Sequence, residues 1–384
     1  MRVLHVIPSI SPLRGGPSAA VLAMVAALRR RGVDAAILTS NDNGPGVDPS
    51  LPLGEWCERQ GAPVLAFPRW SPPLRPLREF AVTPGLNRWL ASNLHGFQLL
   101  HVHALFSWPS TTAMAQARRA GVPYVLRPIG QLNHWSLRRS AGRKRLLLRL
   151  IERRNLASAA ALHFTSEAER DQAAALGLAT PSFVLPLGVE APADLPAGPP
   201  AAPPTVFLFL SRLHPKKQLE QLLEALALLQ RRQPAAAWEL RVAGDGDPAY
   251  VAGLQERARR LGLTGHCRWL GFLEGEAKWQ ALRQAHWFVL PSASENFGIA
   301  AVEALAAGTP VILSPEVAVA PAVAQAGAGL ICSSDPSQLA AALDTALAGP
   351  GEPMRAAARS LALSRYGWAG IAEHLEHTYA ALIR

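Results

Sequence analysis

The chain has 384 residues, 49% hydrophobic and 17% charged, a balance that excludes a disordered polymer. At roughly 150 residues per domain, the length predicts two or three domains. The formal net charge is +10, no run of 18 apolar residues predicts a membrane-spanning helix, and the opening MRVLHVIPSI lacks the pattern of a secretory signal.

The charge is uneven. Residues 1–189 carry 22 Lys and Arg against 10 Asp and Glu, whereas residues 190–384 carry 16 against 18. Only four of the basic residues are lysines: Lys144, Lys216, Lys217 and Lys278. Lys and Arg are not interchangeable at a site, so each of these positions is of interest. Cys57, Cys267 and Cys332 are too far apart for a zinc spacing and too few for a disulfide framework, which favours a reducing compartment.

In chain order, strand-like runs at 2–8, 34–40, 99–104, 123–128, 161–166 and 183–188 alternate with helical stretches. The alternation predicts parallel sheets covered by helices. After the first run comes LRGGPSAAV (13–21). Gly15 and Gly16 permit close backbone approach to a phosphate, and Pro17 suits a helix start. A helix is expected over 18–32, with Gly32 closing it. His101 and His103 alternate on one strand and share a face. No third ligand stands at metal spacing, so they are read as polar residues at a strand end facing a cleft, and no metal is expected. Arg127 and His134 lie in LRPIGQLNHWSL (126–137) and are candidates, with His103, for the acceptor side. Trp70, Trp108 and Trp135 are expected to pack in the core, with stacking on sugar rings as the alternative. Residues 138–154, RRSAGRKRLLLRLIERR, hold eight basic residues and one Glu. Leu146, Leu147, Leu150 and Ile151 could form the apolar side of a basic amphipathic helix. An anionic membrane face and an ordinary solvated face fit this segment equally.

Six of the fourteen residues 191–204 are Pro, which predicts a semi-extended linker. Beyond it, strand-like runs resume at 205–211, 239–245, 267–272, 287–292, 309–314 and 329–332, and the tail has helical spacing. In FLSRLHPKKQLEQLLEALALL (209–229) a strand leads into Arg212, Lys216 and Lys217. A basic pair opening a helix is unfavourable for the helix dipole, so its placement hints at function; Arg212 and a lysine could clamp a diphosphate. GDGD (244–247) reads as a structural turn, with Asp245 near a ligand cleft. SENFGIAAVEALAAGTPVI (294–312) follows a strand, where ligands of open α/β sheets bind. Phe297, Gly298 and Ile299 are expected to supply the first free N–H groups of a helix. Glu303 is expected two turns inside it, placed for a ribose diol, and Glu295 is expected in the preceding turn.

These segments resemble the family-four retaining glycosyltransferases of GT-B fold (glycosyltransferase group 1). The spacing from Glu295 to Glu303 resembles their EX7E donor motif, and SRLHPKKQLEQLLEA resembles their Arg–Lys diphosphate clamp. RGGP, HVHALFS, HFTSEAE and LPLGVE stand in the family's order. The resemblance implies two Rossmann-like, doubly wound parallel-sheet domains facing a central cleft. The first, 1–190, would bind the acceptor, and the second, 205–365, the nucleotide-sugar; a C-terminal helix at 366–384 would pack back on the first. It implies that Arg212 and Lys217 hold the diphosphate, Glu295 the donor sugar and Glu303 the ribose. Phe297, Gly298 and Ile299 would bind the donor through main-chain N–H groups, and Gly16 would close over it. Two departures stand out. Gln218 replaces the Gly that usually follows the lysine, and Ile129 stands where many members carry His or Arg. No general base is assigned, since the leaving phosphate can take the acceptor proton.

The expected activity is transfer of a hexose-type unit from a nucleotide-diphosphate sugar to an acceptor hydroxyl with retention, in surface polysaccharide or glycolipid synthesis. The nucleotide-sugar is a co-substrate, and no permanently bound cofactor is expected. The expected acceptor is a glycan or a lipid-linked glycan, and the expected location is cytoplasmic, on the inner face of the plasma membrane where 138–154 docks. A sugar-nucleotide epimerase of the same fold is the main alternative. A basic nucleic-acid-binding protein is the weaker one, because no aromatic-interleaved motif accompanies the charge.

Overall fold

The computed structural model describes residues 1–133, 142, 146–192, 194, 199 and 203–383. The chain forms two compact units, Met1–Gly188 with Trp368–Arg384, and Val189–Gly367.

The strands of the first unit are β1 (Arg2–Val6), β2 (Asp34–Ser40), β3 (Asp42–Asn43), β4 (Gly46–Val47), β5 (Trp56–Arg59), β6 (Ala62–Phe67), β7 (Leu99–His103), β8 (Tyr124–Arg127), β9 (Ala161–Phe164) and β10 (Ser182–Val184). Eight make one sheet in the order β10-β9-β8-β7-β1-β2-β6-β5. It is parallel except at its β5 edge, and β3 and β4 form a separate hairpin. Parallel neighbours need crossovers, which here are mostly helices. Helix Gly16–Arg30 begins with Pro17 in its first turn. Gly32, at φ +86°, turns the chain out of it.

Side chains on a strand alternate between faces, and the two faces of this sheet differ. Leu4, Val6, Leu100, Val102, Tyr124, Leu126, Leu162 and Phe164 belong to one apolar core with Leu86, Leu90 and Met114 from helices Pro84–Asn93 and Trp108–Ala120. The intervening positions put His5, His101, His103, Arg127 and His163 on the other face, all buried. Helix Trp368–Ile383 covers it, with the Tyr379 hydroxyl 2.6 Å from His101 Nδ1. Trp368, at the start of that helix, packs where a side chain on Gly188 would collide with it. The preceding helix, Glu352–Tyr366, belongs to the second unit.

The second unit contains β11 (Thr205–Leu210), β12 (Trp238–Ala243), β13 (Cys267–Gly271), β14 (Trp287–Leu290), β15 (Val311–Leu313) and β16 (Gly329–Ile331). They form a parallel sheet in the order β13-β12-β11-β14-β15-β16. Strand order therefore reverses between β11 and β14 here, and between β1 and β7 in the first unit. Such reversals open a crevice beyond the carboxyl ends of the strands.

Candidate functional site

The Arg212–Lys217 segment leaves β11, and the Ser292–Gly298 segment leaves β14, so both flank the reversal point of the second sheet. Their backbones are joined. Ala293 N–H and the Ser292 hydroxyl both donate to the Lys216 carbonyl, at 2.9 and 3.1 Å. On the other side, Leu213 N–H donates to the Asp245 carbonyl at 2.8 Å. A Cβ on Gly244 or Gly246 would collide with the carbonyl oxygens of Ser211 or Leu213. GDGD is thus a structural turn that needs its glycines. Asp245 is exposed and its Oδ1 accepts the Gly246 N–H at 2.8 Å. Asp247 caps helix Pro248–Arg260.

Lys217 Nζ donates to the Glu295 carboxylate, with both side chains largely buried. Burial, and behind it the charges of Lys216 and Arg212, push the Lys217 ammonium down to about 7. Burial and Arg212 lower Lys216 too. Arg212 is exposed. Lys216 and Arg212 thus bring their charges to bear on Lys217, which holds the Glu295 carboxylate, and three cations so close together suit a polyanion. Gln218 sits in the left-handed region at φ 54°. That explains in physical terms why a glycine fits this position.

Glu295 is zipped to a neighbouring loop: its N–H donates to the Glu316 carbonyl at 3.0 Å and its carbonyl accepts from Ala318 at 3.1 Å. The helix opens later than the sequence suggests. It spans Ile299–Ala306, and Gly298, at φ 93°, is its N-cap. Phe297 therefore precedes the helix, buried edge-on to Tyr366. Glu303 lies just over one turn in, not two. A Cβ on Gly298 would meet Val317 Cγ1 at 2.9 Å. The first intrahelical bonds run from Ala301 and Val302 to the Gly298 carbonyl, so the N–H groups before them precede the helical ladder.

The sequence did not single out the partner of Glu303. Lys278 Nζ, from helix Gly275–Gln284, lies 2.7 Å from Glu303 Oε1. The available signal was lysine scarcity: two of the chain's four lysines pair with the two glutamates.

In the first unit, Gly15, at φ 80°, caps helix Gly16–Arg30, with open space around it. Contrary to the expectation that they face a cleft, His103 and Arg127 are buried, on the sheet face that the C-terminal helix covers. The third imidazole beside His101 and His103 is His5, with one ring nitrogen from each of the three within 4.8 Å of the others. It comes from β1 and so is distant in sequence. His134 and Trp135 lie outside the described residues, as do residues 138–141 and 143–145. Trp70 is 53% exposed, not a core residue. Among the described residues no helix is long and apolar enough to cross a membrane.

The family model described as Glycosyl transferase 4-like domain matches residues 15–188, and that described as Glycosyl transferases group 1 matches residues 194–362. D-inositol 3-phosphate glycosyltransferase 2 of Catenulispora acidiphila is 33% identical over 192 residues, 48% of this chain and 44% of that protein. Glycogen synthase of Mycobacterium tuberculosis is 32% identical over 188 residues, again 48% and 44%. The chain spans less than half the length of these curated relatives. Sucrose-phosphate synthase from Thermosynechococcus elongatus superposes with a TM-score of 0.80 at 21% identity, over 100% of this chain and 99% of that one. Anabaena HepE, solved in complex with UDP-glucose, gives 0.74 at 19%, over 99% and 100%. These two likenesses establish the fold. With two parallel α/β sheets and matches over both units, the chain belongs to the group 1, family-four-like glycosyltransferases of GT-B fold.

Proposed function

We propose that this chain transfers a hexose-type unit, with retention, from a nucleotide-diphosphate sugar to an acceptor hydroxyl. The observation that carries the reading is the meeting of Lys217 and Glu295, with Arg212 near, at the reversal point of the second sheet. Arg212 and Lys217 bind the diphosphate, and their charge stabilises the departing phosphate. Donor binding moves Lys217 from Glu295 to phosphate and frees the carboxylate for sugar hydroxyls. Main-chain N–H groups of Phe297, Gly298 and Ile299 bind the donor, Glu303 binds the ribose, and Asp245, Gly15 and Gly16 are further donor contacts. HepE, a neighbour in fold, binds UDP-glucose, which supports a donor of that class. Titration with UDP, GDP, dTDP and ADP sugars tests the reading, with Glu303→Ala and Lys217→Ala as controls. One nucleotide should bind and the variants should weaken it; no binding of any of them would refute it. Turnover of the donor without acceptor to an epimer would favour the epimerase.

The acceptor reading is a glycan or lipid-linked glycan in polysaccharide or glycolipid synthesis, met at the cytoplasmic membrane face. Leu146, Leu150 and Ile151 are 57%, 67% and 37% exposed beside exposed Arg149, Arg153 and Arg154, a combination that favours an anionic bilayer surface. Flotation with anionic vesicles at low salt tests this, and absence of retention sinks it.

A further inference from the structure

Arg127 is 1% exposed, yet its Nε, Nη1 and Nη2 have no hydrogen-bond partner. A guanidinium so desolvated is costly unless something accepts from it. Glu169 is the carboxylate that acts on its charge, but its oxygens are used elsewhere. Oε1 accepts from Gly130 N–H, and Oε2 from the N–H and hydroxyl of Thr165.

The surrounding imidazoles have readable tautomers. His163 Nε2 lies 2.9 Å from the Leu185 carbonyl, which only accepts, so Nε2 carries the proton. His163 Nδ1 is then a lone pair and takes the His101 Nε2–H at 3.3 Å. His101 Nδ1 in turn accepts the Tyr379 hydroxyl at 2.6 Å. His101 and His163 are thus fully engaged. His5 Nδ1 and His103 Nε2 share one hydrogen bond of 3.0 Å, leaving His5 Nε2 and His103 Nδ1 unpartnered. Whichever ring donates, one free nitrogen is an N–H and the other a lone pair. His103 is the cross-strand neighbour of Arg127, and His5 is that of His101. The unmet groups are therefore the five N–H bonds of a guanidinium, one imidazole N–H and one lone pair.

That set is rich in donors and positively charged. Three imidazoles within 4.8 Å would suit a cation, but both His101 nitrogens are committed, and the Arg127 charge acts on all three rings. His103 and Arg127 are the last residues of β7 and β8, and His5 lies on β1, so the three gather beside the reversal of strand order between β1 and β7. The residues that leave β7 and β8 are held in the left-handed region: Ala104 at φ 73°, Phe106 at 54° and Ile129 at 54°. Such conformations are costly for residues with a side chain and gather at functional sites.

We infer that Arg127, His5 and His103 form a buried binding site for a phosphate-class oxyanion at the strand reversal of the first unit. The guanidinium fork matches two oxygens, and the imidazole N–H a third. The lone imidazole nitrogen accepts the proton of a protonated phosphate, which sulfate lacks. The same chemistry fits free phosphate and a phosphoryl group on a substrate.

The test is titration of the full chain with inorganic phosphate, sulfate and glycerol phosphate, read by calorimetry. Lys217→Ala is the background, which weakens the clamp of the second unit, and the Arg127→Lys comparison separates what remains of it from the site. Phosphate should bind more tightly than sulfate, and Arg127→Lys, which keeps the charge but not the fork, should weaken it at least about tenfold. Binding of glycerol phosphate as well identifies a carried phosphoryl group, and phosphate alone identifies a free ion. Should the Arg127 variant not fold, ring-nitrogen NMR shifts of His5 and His103 in the Lys217→Ala protein serve instead, and they should move on saturation with phosphate. No phosphate binding, equal binding after Arg127→Lys, or unmoved imidazole resonances would overturn the site.

Discussion

Lys278 Nζ lies 2.7 Å from Glu303 Oε1, so the carboxylate proposed for the ribose diol is already held by a cation on another helix. The pair is half-sheltered, at 24% and 16% side-chain exposure. A carboxylate held by one oxygen retains lone pairs for two hydroxyls. Lys278 is then a positioning residue. Glu303→Ala should raise donor KM about tenfold, the scale of a lost charge-assisted hydrogen bond. Lys278→Ala should raise it less, and the double variant should be no worse than Glu303→Ala alone, because one mutation removes what the other positions. Simple additivity in KM would show that Lys278 acts independently.

The lowered Lys217 ammonium makes donor binding depend on pH. A diphosphate restores the charged form, so above about 7 binding should take up a proton and Kd should rise by up to about tenfold per pH unit. Below that value the dependence should flatten. Lys217→Arg should abolish the alkaline limb, since a guanidinium stays charged. The free protein has the opposite trend: its unfolded state binds the extra proton between about 7 and 10.5, so this group adds stability as pH rises through that window. Calorimetry in buffers of different ionisation enthalpy measures the uptake; none at pH 8 would refute the assignment.

Much of the fold was legible because parallel strands buried on both faces read as apolar runs. Among the strands not anticipated, Trp56–Arg59 and Ala62–Phe67 are interrupted by Glu58, Arg59 and Pro63 and form one end of the large sheet, with Trp56–Arg59 at its edge; the others, Asp42–Asn43 and Gly46–Val47, are two-residue strands of a separate hairpin. The local half of the candidate site was legible as well: Lys217, Glu295 and Glu303 sit in segments whose spacing drew attention, and the structure pairs Lys217 with Glu295. Lys278 and His5 were not, because a pairing between elements leaves no local period. His103 and Arg127 read as cleft residues because polar side chains usually face water; nothing local announces the helix, at the far end of the chain, that covers them.

Backbone conformation gives a sharper test at the clamp. Gln218 holds a left-handed φ of 54°, and its buried Oε1 has no partner. Gln218→Gly relieves both, while the Gln218 carbonyl that accepts from Gln221 and Leu222 is retained. It should stabilise the fold by about 1 kcal/mol, after the entropic cost of glycine. Gly244→Ala should destabilise by more than about 3 kcal/mol, because the clash is with backbone that cannot yield. Gly253→Ala, on an exposed helix with nothing within 4 Å, should gain roughly 0.5–1 kcal/mol. Urea midpoints of the three variants check the order, and a neutral Gly244→Ala would contradict the close approach of Ser211.

Four buried imidazoles should make the protein sensitive to acid. Burial, reinforced by the Arg127 charge, lowers His5 and His163 from 6.5 to about 3, and burial with neighbouring imidazoles and Arg127 holds His101 and His103 well below the usual range. Tyr379 and Glu169 also face this cluster, and the His374 charge acts on His163. Between 6.5 and about 3 the unfolded chain binds more protons than the folded one, so stability falls as pH falls. Well below pH 6.5 each imidazole costs about 1.4 kcal/mol per pH unit. Urea midpoints in phosphate-free buffer should therefore drop steeply between pH 6.5 and pH 5. His163→Gln keeps a donor for the Leu185 carbonyl and removes one titrating group, so the slope should fall by about one proton. An unchanged slope in that variant would mean that His163 is protonated in the fold, and the tautomer chain from Tyr379 to Leu185 would be wrong.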